Sequence, residues 1–235
     1  MSSNVTAAVI GSTGLVGAQI LSTLLGLDAF KTVYTVSRRA PKAESPKLAA
    51  TIEADTTKWA SNLSSITPPP SVVYSALGTT RAQAGGIANQ WKIDHDLNIE
   101  LAKAAHTAGV KTFVFVSSAG TRGLFSGYVP YSQMKVGVED SIKNLNFDQA
   151  IILRPGLILG KREVEHAGGP LLNTLVRSLS KIGQGAQDKF GQEAEVIGRA
   201  AVHASLLAAE GKAPSKYWVL EQADIVRLGR DEWKS

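Results

Sequence analysis

Tyr131 and Lys135 stand four residues apart in Tyr131-Ser132-Gln133-Met134-Lys135, a spacing that puts a phenol and an ammonium on one face of a helix. A phenol in water keeps its proton to about pH 10. A neighbouring ammonium favours the phenolate and makes the group usable as an acid–base near neutrality. Ser118 ends an uncharged run a short way upstream, and its hydroxyl is of the type that orients a carbonyl or an alcohol. A phenol and a lysine at this spacing recur by chance in many chains. What gives this pair weight is a second pattern at the start of the sequence.

There an apolar run, Val5 to Ile10, leads into Gly11-Ser12-Thr13-Gly14-Leu15-Val16-Gly17 and then into Ala18 to Leu25. Strand, glycines three apart and helix, in that order, are the setting in which such a motif holds a dinucleotide pyrophosphate. Gly11 permits a sharp turn, Gly14 leaves no Cβ against the pyrophosphate, and Gly17 lets the helix approach the strand. The unpaired N–H groups of the helix start supply the donors. At the end of the second strand an NAD site usually offers a carboxylate to the ribose. This chain has Ser37-Arg38-Arg39. Guanidinium groups bind a 2′-phosphate that a carboxylate would repel, so NADP(H) is expected in preference to NAD(H). Arg38 is the first candidate, Arg39 the second, and Thr13 and Ser37 can add hydroxyl bonds. Asp55, after the third strand, is placed either to accept from an adenine amino group or to cap a turn.

The elements that must position these groups alternate. Strands are expected at Val5–Ile10, Thr32–Val36, Leu48–Ile52, Ser71–Ser75, Thr112–Val116, Ala150–Leu153 and Tyr217–Leu220. Helices are expected from Ala18 to Leu25, around Trp59–Leu63, through Leu97, Leu101 and Ala105, from Tyr131 to Lys143, from Pro170 to Leu179 and from Ala200 to Ala209, with a last turn at Ile225–Leu228. Gly78–Gln90, Gly120–Pro130 and the stretch through Gly183, Gly185, Gly191 and Gly198 read as loops, the last one exposed. This alternation predicts an α/β fold, a Rossmann-like doubly wound and mostly parallel sheet. Ligands then bind beyond the carboxyl ends of the strands. One domain over residues 1–235 is expected, with 157–198 and 210–235 forming a small substrate-side region.

Composition narrows the function. The chain of 235 residues is 44% hydrophobic and 19% charged, and it has no cysteine, so disulfide and thiolate chemistry are excluded and a reducing intracellular compartment is expected. The net charge of +5 is spread without a basic stripe bearing interleaved aromatics, so no nucleic-acid partner is expected. No apolar run has the length of a membrane span. Peripheral membrane association and a choice between monomer and homodimer stay open. His95, His106, His166 and His203 form no metal-ligand pattern, and no metal is expected. Gly156-Leu157-Ile158-Leu159-Gly160-Lys161 imitates a P-loop but is one residue short between its glycines, with Arg162 where a magnesium-binding hydroxyl would stand.

Taken together, the glycine turn, Ser117-Ser118, Tyr131 with Lys135, and Arg154-Pro155-Gly156 resemble the short-chain dehydrogenase/reductase superfamily in its extended or atypical branch. Leu77-Gly78-Thr79-Thr80-Arg81, Ser37-Arg38-Arg39 and Val219-Leu220-Glu221 are similar, more narrowly, to the Tat-interacting-protein oxidoreductases and their fungal mitochondrial-outer-membrane relatives. The resemblance implies that Gly11, Gly14 and Gly17 hold the pyrophosphate, and Thr13, Leu15 and Val16 of the same turn count among the cofactor-binding residues. It gives Arg38 the 2′-phosphate, Ala76, Leu77 and Gly78 the adenosine and bridging ribose, and Pro155 and Leu157 the nicotinamide pocket. Ser118, Tyr131 and Lys135 become a catalytic trio, with Lys135 also on the cofactor ribose. The implied activity is hydride transfer between nicotinamide C4 and a carbonyl or alcohol substrate, and the implied location is the cytosolic face of the mitochondrial outer membrane. A regulatory NADP(H)-binding protein or scaffold without turnover is the alternative. Where many members have a relay asparagine before the fifth strand, this chain has Asp94, with Asn98 a turn further on.

Overall fold

The computed structural model describes residues 5–123, 126–160, 188 and 190–234. Its strands are β1 (Val5–Ile10), β2 (Phe30–Ser37), β3 (Leu48–Ile52), β4 (Val72–Ser75), β5 (Thr112–Val116), β6 (Gln149–Leu153), β7 (Leu157–Leu159), β8 (Gly191–Glu193) and β9 (Tyr217–Leu220). Its helices are α1 (Leu15–Gly26), α2 (Trp59–Ser64), α3 (Arg81–Ala84), α4 (Ile87–Trp91), α5 (Asn98–Thr107), α6 (Pro130–Leu145), α7 (Ala194–Ala209) and α8 (Gln222–Val226).

Seven strands form one parallel sheet in the order β3-β2-β1-β4-β5-β6-β9, and β7 pairs with β8 in a separate parallel ribbon. This is the doubly wound architecture read from the alternation of elements. β5, uncharged along its length, is central, flanked by β4 and β6. The strand order reverses between β1 and β4, and in sheets of this kind the crevice that takes ligands lies beyond the carboxyl ends of the strands at that point.

Both faces of the sheet are covered, because successive strand side chains point to opposite sides. On one face Ala7, Val9, Val33, Val114 and Ile151 meet Val16, Ile20, Leu21 and Leu24 of α1 and Ile197, Ala200, Ala201 and Ala204 of α7. On the other, Ala8, Ile10, Val73, Phe113, Phe115 and Ile152 meet Trp59 and Leu63 of α2, Leu101 and Ala105 of α5, and Val138 and Ile142 of α6. The small residues of α7 let it cross α1 closely. A Cβ added at Gly198 would stand 2.9 Å from Gln19 Cβ and 3.0 Å from the Ile20 nitrogen.

Three expectations change. The stretch read as a loop from Gly78 to Gln90 contains α3 and α4. Thr80 caps α3 by accepting from the Gln83 N–H at 3.3 Å, and Gly85 ends it with φ of 72°. Gly191 and Gly198 are not in an exposed loop: Gly191 is buried in β8, and Gly198 is buried inside α7, where it serves a helix contact. α7 begins at Ala194, earlier than Ala200, because its first turns hide apolar Ala194 and Ile197 beneath the solvent-facing Glu195–Arg199 pair (2.6 Å). The helix expected at Pro170–Leu179, the loop glycines Gly183 and Gly185, and His166 lie outside the described residues. No helix among the described residues is long and apolar enough to cross a membrane.

Candidate functional site

The turn after β1 is built on backbone contact. Gly11 has φ of 80°, and a Cβ there would stand 2.8 Å from the Ala76 carbonyl group and 2.9 Å from the Leu77 nitrogen. The Ala76 N–H donates to the Ile10 carbonyl at 3.0 Å, so the ends of β1 and β4 are held edge to edge. A Cβ on Gly17 would meet the Gly11 oxygen at 2.1 Å, which fixes how close α1 lies to β1. Gly14 starts α1 with no side-chain cap, and the first turn carries no acidic residue. The first N–H groups of α1 are therefore left for an anion. Ser12, 1% exposed, has a hydroxyl with no hydrogen-bond partner among the described residues. A buried hydroxyl in that condition calls for a further group to satisfy it. Glycine cradle, uncapped helix start and orphaned hydroxyl together fit a nucleotide pyrophosphate.

Around this cradle the other expected contacts are unequal. Thr13 and Leu15 are half-buried, and Val16 belongs to the core beneath α1. Arg38 and Arg39 are both exposed at the end of β2. Ser37 is buried and its hydroxyl donates to the Arg39 carbonyl at 2.7 Å, so its proton is committed to shaping this turn. Asp55 caps the single turn Thr56–Lys58. Its Oδ1 accepts from the Thr57 N–H (3.0 Å) and hydroxyl (2.6 Å), and these two bonds hold its pKa below the usual carboxylate range. Ala76 and Leu77 are half-buried and Gly78 is exposed at the crevice.

The chemical groups come from the other side of the crevice. Pro130 starts α6, where its missing N–H costs nothing, and Tyr131 follows with 38% exposure. Lys135, one turn on, is nearly buried: its ammonium donates to the Val116 carbonyl at 3.1 Å and lies 4.8 Å from the centre of the Phe115 ring. The same ammonium is 3.9 Å from where a Gly78 Cβ would be, and Asp94 Oδ1 is 3.8 Å from that point. Lys135, Asp94 and the nucleotide-side loop thus converge. Ser118 lies just past the end of β5, half-buried. The adjoining Ala119 N–H donates to the Pro155 carbonyl at 2.8 Å, which joins the Ser118 segment to the Pro155–Leu157 wall.

Asp94 and Asn98 divide their tasks. Residues Lys92–Leu97 form a π-helical turn between α4 and α5, a device that re-aims side chains near functional sites. Asn98 is fully buried: its amide nitrogen donates to the Ile93 (3.1 Å) and Asp94 (3.2 Å) carbonyls, and its oxygen accepts from the Ser75 hydroxyl at 2.6 Å. It is spent on joining the turn to β4. Asp94 is buried beside Gly78, accepting from the Thr79 N–H at 2.6 Å and from the Gln90 amide at 3.3 Å. Burial raises its pKa above the ordinary aspartate value, although the Lys135 charge and these two bonds act against the rise.

Glu139 belongs to none of the sequence motifs, yet it organises the site's frame. It is fully buried and continues the i, i+4 series Tyr131, Lys135, Glu139 along α6, which is the signal that could have found it. Its carboxylate accepts from the Ser117 hydroxyl (2.6 Å), Arg122 Nε (3.1 Å), Arg154 Nε (3.1 Å) and Arg154 Nη2 (2.6 Å). Arg154 also reaches Glu221 at 2.9 Å. One carboxylate therefore ties α6 to the carboxyl ends of β5, β6 and β9. Burial alone would raise its pKa, but the bonds from Arg154 and Ser117 and the arginine charge carry it below the usual value.

Several histidines and tryptophans serve packing. Trp91 and His95 are half-buried against each other, ring centres 4.9 Å apart, at the edge of the crevice. His203 is half-buried with Nδ1 2.9 Å from the Leu228 carbonyl oxygen, and Trp59 and Trp218 are buried. Among the described residues no group of three or more His, Cys, Asp or Glu is placed to hold a metal.

Residues 7–198 match the model of the NAD dependent epimerase/dehydratase family. The chain is 68% identical over 229 residues to a protein of Aspergillus oryzae named Protein fmp52-2, mitochondrial, covering 97% of this chain and 99% of that one. It is 65% identical over 227 residues to Protein FMP52, mitochondrial, of Chaetomium globosum, covering 96% and 97%. Among solved structures it is similar to the Bordetella bronchiseptica enzyme WbmF in complex with NAD+, with a TM-score of 0.68 and 15% identity over 94% of this chain and 73% of that one. It is also similar to MoeE5 in complex with UDP-glucose and NAD, with a TM-score of 0.64 and 17% identity over 96% and 81%. At these identities the structural likeness is one of fold.

Proposed function

The chain belongs to the NAD dependent epimerase/dehydratase family, in the extended branch of the short-chain dehydrogenases/reductases, and on that premise we propose that it is an NADP(H)-dependent oxidoreductase acting on a carbonyl or alcohol. The observation that carries the reading is the convergence at the crevice: the Lys135 ammonium stands beside Gly78, across from the glycine cradle and the uncapped start of α1. The WbmF and MoeE5 structures hold NAD at the same kind of fold, which supports a pyridine nucleotide here. The relatives' names support a mitochondrial location.

In this reading the N–H groups at the start of α1 and the turn Gly11–Gly17 take the pyrophosphate. The exposed Arg38, with Arg39 beside it, takes the 2′-phosphate, and Ala76, Leu77 and Gly78 border the adenosine and bridging ribose. Pro155 and Leu157 wall the nicotinamide. Bound NADPH supplies the hydride for the carbonyl carbon. Tyr131 gives its phenol proton to the carbonyl oxygen, Ser118 orients that oxygen by a hydrogen bond, and Lys135 holds the ribose while its charge stabilises the phenolate left on Tyr131. Oxidation of an alcohol runs the same proton path in reverse. The described parts of the two stretches, 157–160, 188, 190–198 and 210–234, border the substrate side in this reading.

Titration with NADPH and NADH, followed by a panel of carbonyl substrates, tests this. Arg38→Ala is expected to weaken NADPH binding roughly tenfold or more and leave NADH unchanged. Y131F is expected to lower turnover roughly 10²- to 10⁴-fold with NADPH binding intact. Preference for NADH would overturn the role of Arg38. Binding without turnover in the wild type, or Y131F turning over at the wild-type rate, would favour the regulatory binder.

A further inference from the structure

The wall made by Pro155, Gly156 and Leu157 is held from behind by a side chain that plays no part in the proton path. Gln192, in β8, is 1% exposed. A buried amide must satisfy both ends of its side chain, and this one does. Its oxygen accepts from the Gly156 N–H at 2.7 Å, and its nitrogen donates to the Asp188 carbonyl at 2.5 Å. The neighbouring Leu157 N–H donates to the Phe190 carbonyl at 2.8 Å, and the ladder runs on through Leu157–Gly191 and Ile158–Gln192. A Cβ on Gly156 would stand 2.6 Å from the Phe190 oxygen, so nothing larger than glycine lets the two segments lie this close.

Asp188 is itself gripped. Arg230 binds it with both terminal nitrogens, at 3.0 and 2.8 Å, and its Nε lies 3.1 Å from Asp231. Two parallel bonds from a planar guanidinium fix direction as well as distance. Arg230 follows Gly229, where a Cβ would meet the Val196 oxygen at 2.0 Å, so the C-terminal turn, Arg227–Asp231, is seated against the start of α7. A continuous line of bonds runs from that turn through Asp188 and Gln192 to the Gly156 N–H, and the Pro155 carbonyl carries it on to Ala119, next to Ser118.

We propose that Gln192 is a positioning residue that sets the nicotinamide wall, and that the Asp188–Arg230 pair sets Gln192 from the C-terminal turn. This rests on the nucleotide reading above. The bonds of the line end on Gly156, on Leu157 and on Ala119, next to Ser118, and among the described residues none of them is made to the turn Gly11–Gly17 or to Arg38. Beyond the line, at the end of β7, Gly160 lies against the Leu15 side chain without a hydrogen bond. The line therefore acts on the nicotinamide half of the nucleotide and leaves the adenine half alone.

The test uses the full chain and two probes: NADPH, followed by its fluorescence, and adenosine 2′,5′-bisphosphate, which has the adenine half and no nicotinamide. Gln192→Met keeps the volume and removes both bonds. It is expected to weaken NADPH binding about tenfold, the effect of losing one well-placed hydrogen bond, and to leave bisphosphate binding unchanged. Arg230→Met, far from the wall, is expected to shift NADPH binding in the same direction by a smaller factor, and it decides the matter if Gln192→Met does not fold. Loss of both probes in parallel, or of neither, would overturn the positioning role while the nucleotide reading stands. A wild-type chain that binds neither probe would overturn the nucleotide reading, and this proposal with it.

Discussion

Replacing Glu139 with Gln removes one charge and almost no volume from the point where α6 meets three strand ends. Two arginines lose their shared anion. Among the described residues, Arg154, whose side chain is 16% exposed, keeps Glu221, and Arg122, 41% exposed, keeps Asp140. Removing one partner of a fully buried pair costs about 3–5 kcal/mol. Because both cations reach water and retain a second carboxylate, the lower end applies, about 3 kcal/mol. For a chain of this size that lowers Tm by roughly 6–12 °C. The pH dependence carries a second sign. The folded pKa of Glu139 lies below its unfolded value, so its contribution is present above the ordinary glutamate range and is lost as pH falls through the folded value. Urea unfolding between pH 7 and pH 3 should therefore show a large gap between wild type and E139Q that narrows in acid. Pairing Glu139→Leu with Arg154→Met should recover part of the loss, since the two no longer strand each other's charge. A loss under about 1 kcal/mol, the scale of an exposed ion pair, with an unchanged pH profile, would refute the hub.

Gly17→Ala puts a Cβ 2.1 Å from the Gly11 oxygen and 2.7 Å from its carbonyl carbon, both backbone atoms. A loss of about 3 kcal/mol or more, with nucleotide affinity lost in parallel, is expected in urea unfolding and NADPH titration; a normal midpoint would mean that α1 can lift from β1 freely. Asp94→Asn keeps the shape and the acceptor for Thr79 but removes a carboxylate whose pKa burial raises. Such a group favours folding below the unfolded pKa and loses that advantage as pH rises through the folded one. The urea midpoint of D94N should therefore exceed that of wild type at pH 7 and converge with it in acid. A lower midpoint at pH 7 would show that the Lys135 pairing outweighs the cost of burying the charge.

Most of the sheet was legible because each strand is a short apolar run between breakers, and the strand–helix alternation leaves few topologies. The shape of the turn after β1 was legible for a related reason: Gly11 and Gly17 act through close backbone contact, and backbone constraints are written locally. Gly198 misled, since a glycine read without its partner suggests a turn, and only Gln19 of α1 reveals that it serves a helix crossing. Glu139 and Gln192 were invisible for the opposite reason. Each is an ordinary surface residue type in one dimension and is buried only because segments far apart in the chain close over it. Asp94 was noticed, but its task was not separable from that of Asn98 until the π-helical turn set one toward Ser75 and the other toward Gly78.

The crossing of α1 and α7 has a consequence for how the molecule is made. The β1–turn–α1 unit is synthesised well before α7, so the apolar stripe of Val16, Ile20 and Leu24 waits for Ile197, Ala201 and Ala204 to be made. Until then the nascent chain carries a greasy, half-clothed helix, a target for chaperones and for self-association. Closing so long a span of sequence is also slow. Truncations near the C-terminus should accordingly damage the N-terminal turn, and a stalled or clipped chain should precipitate before it misfunctions.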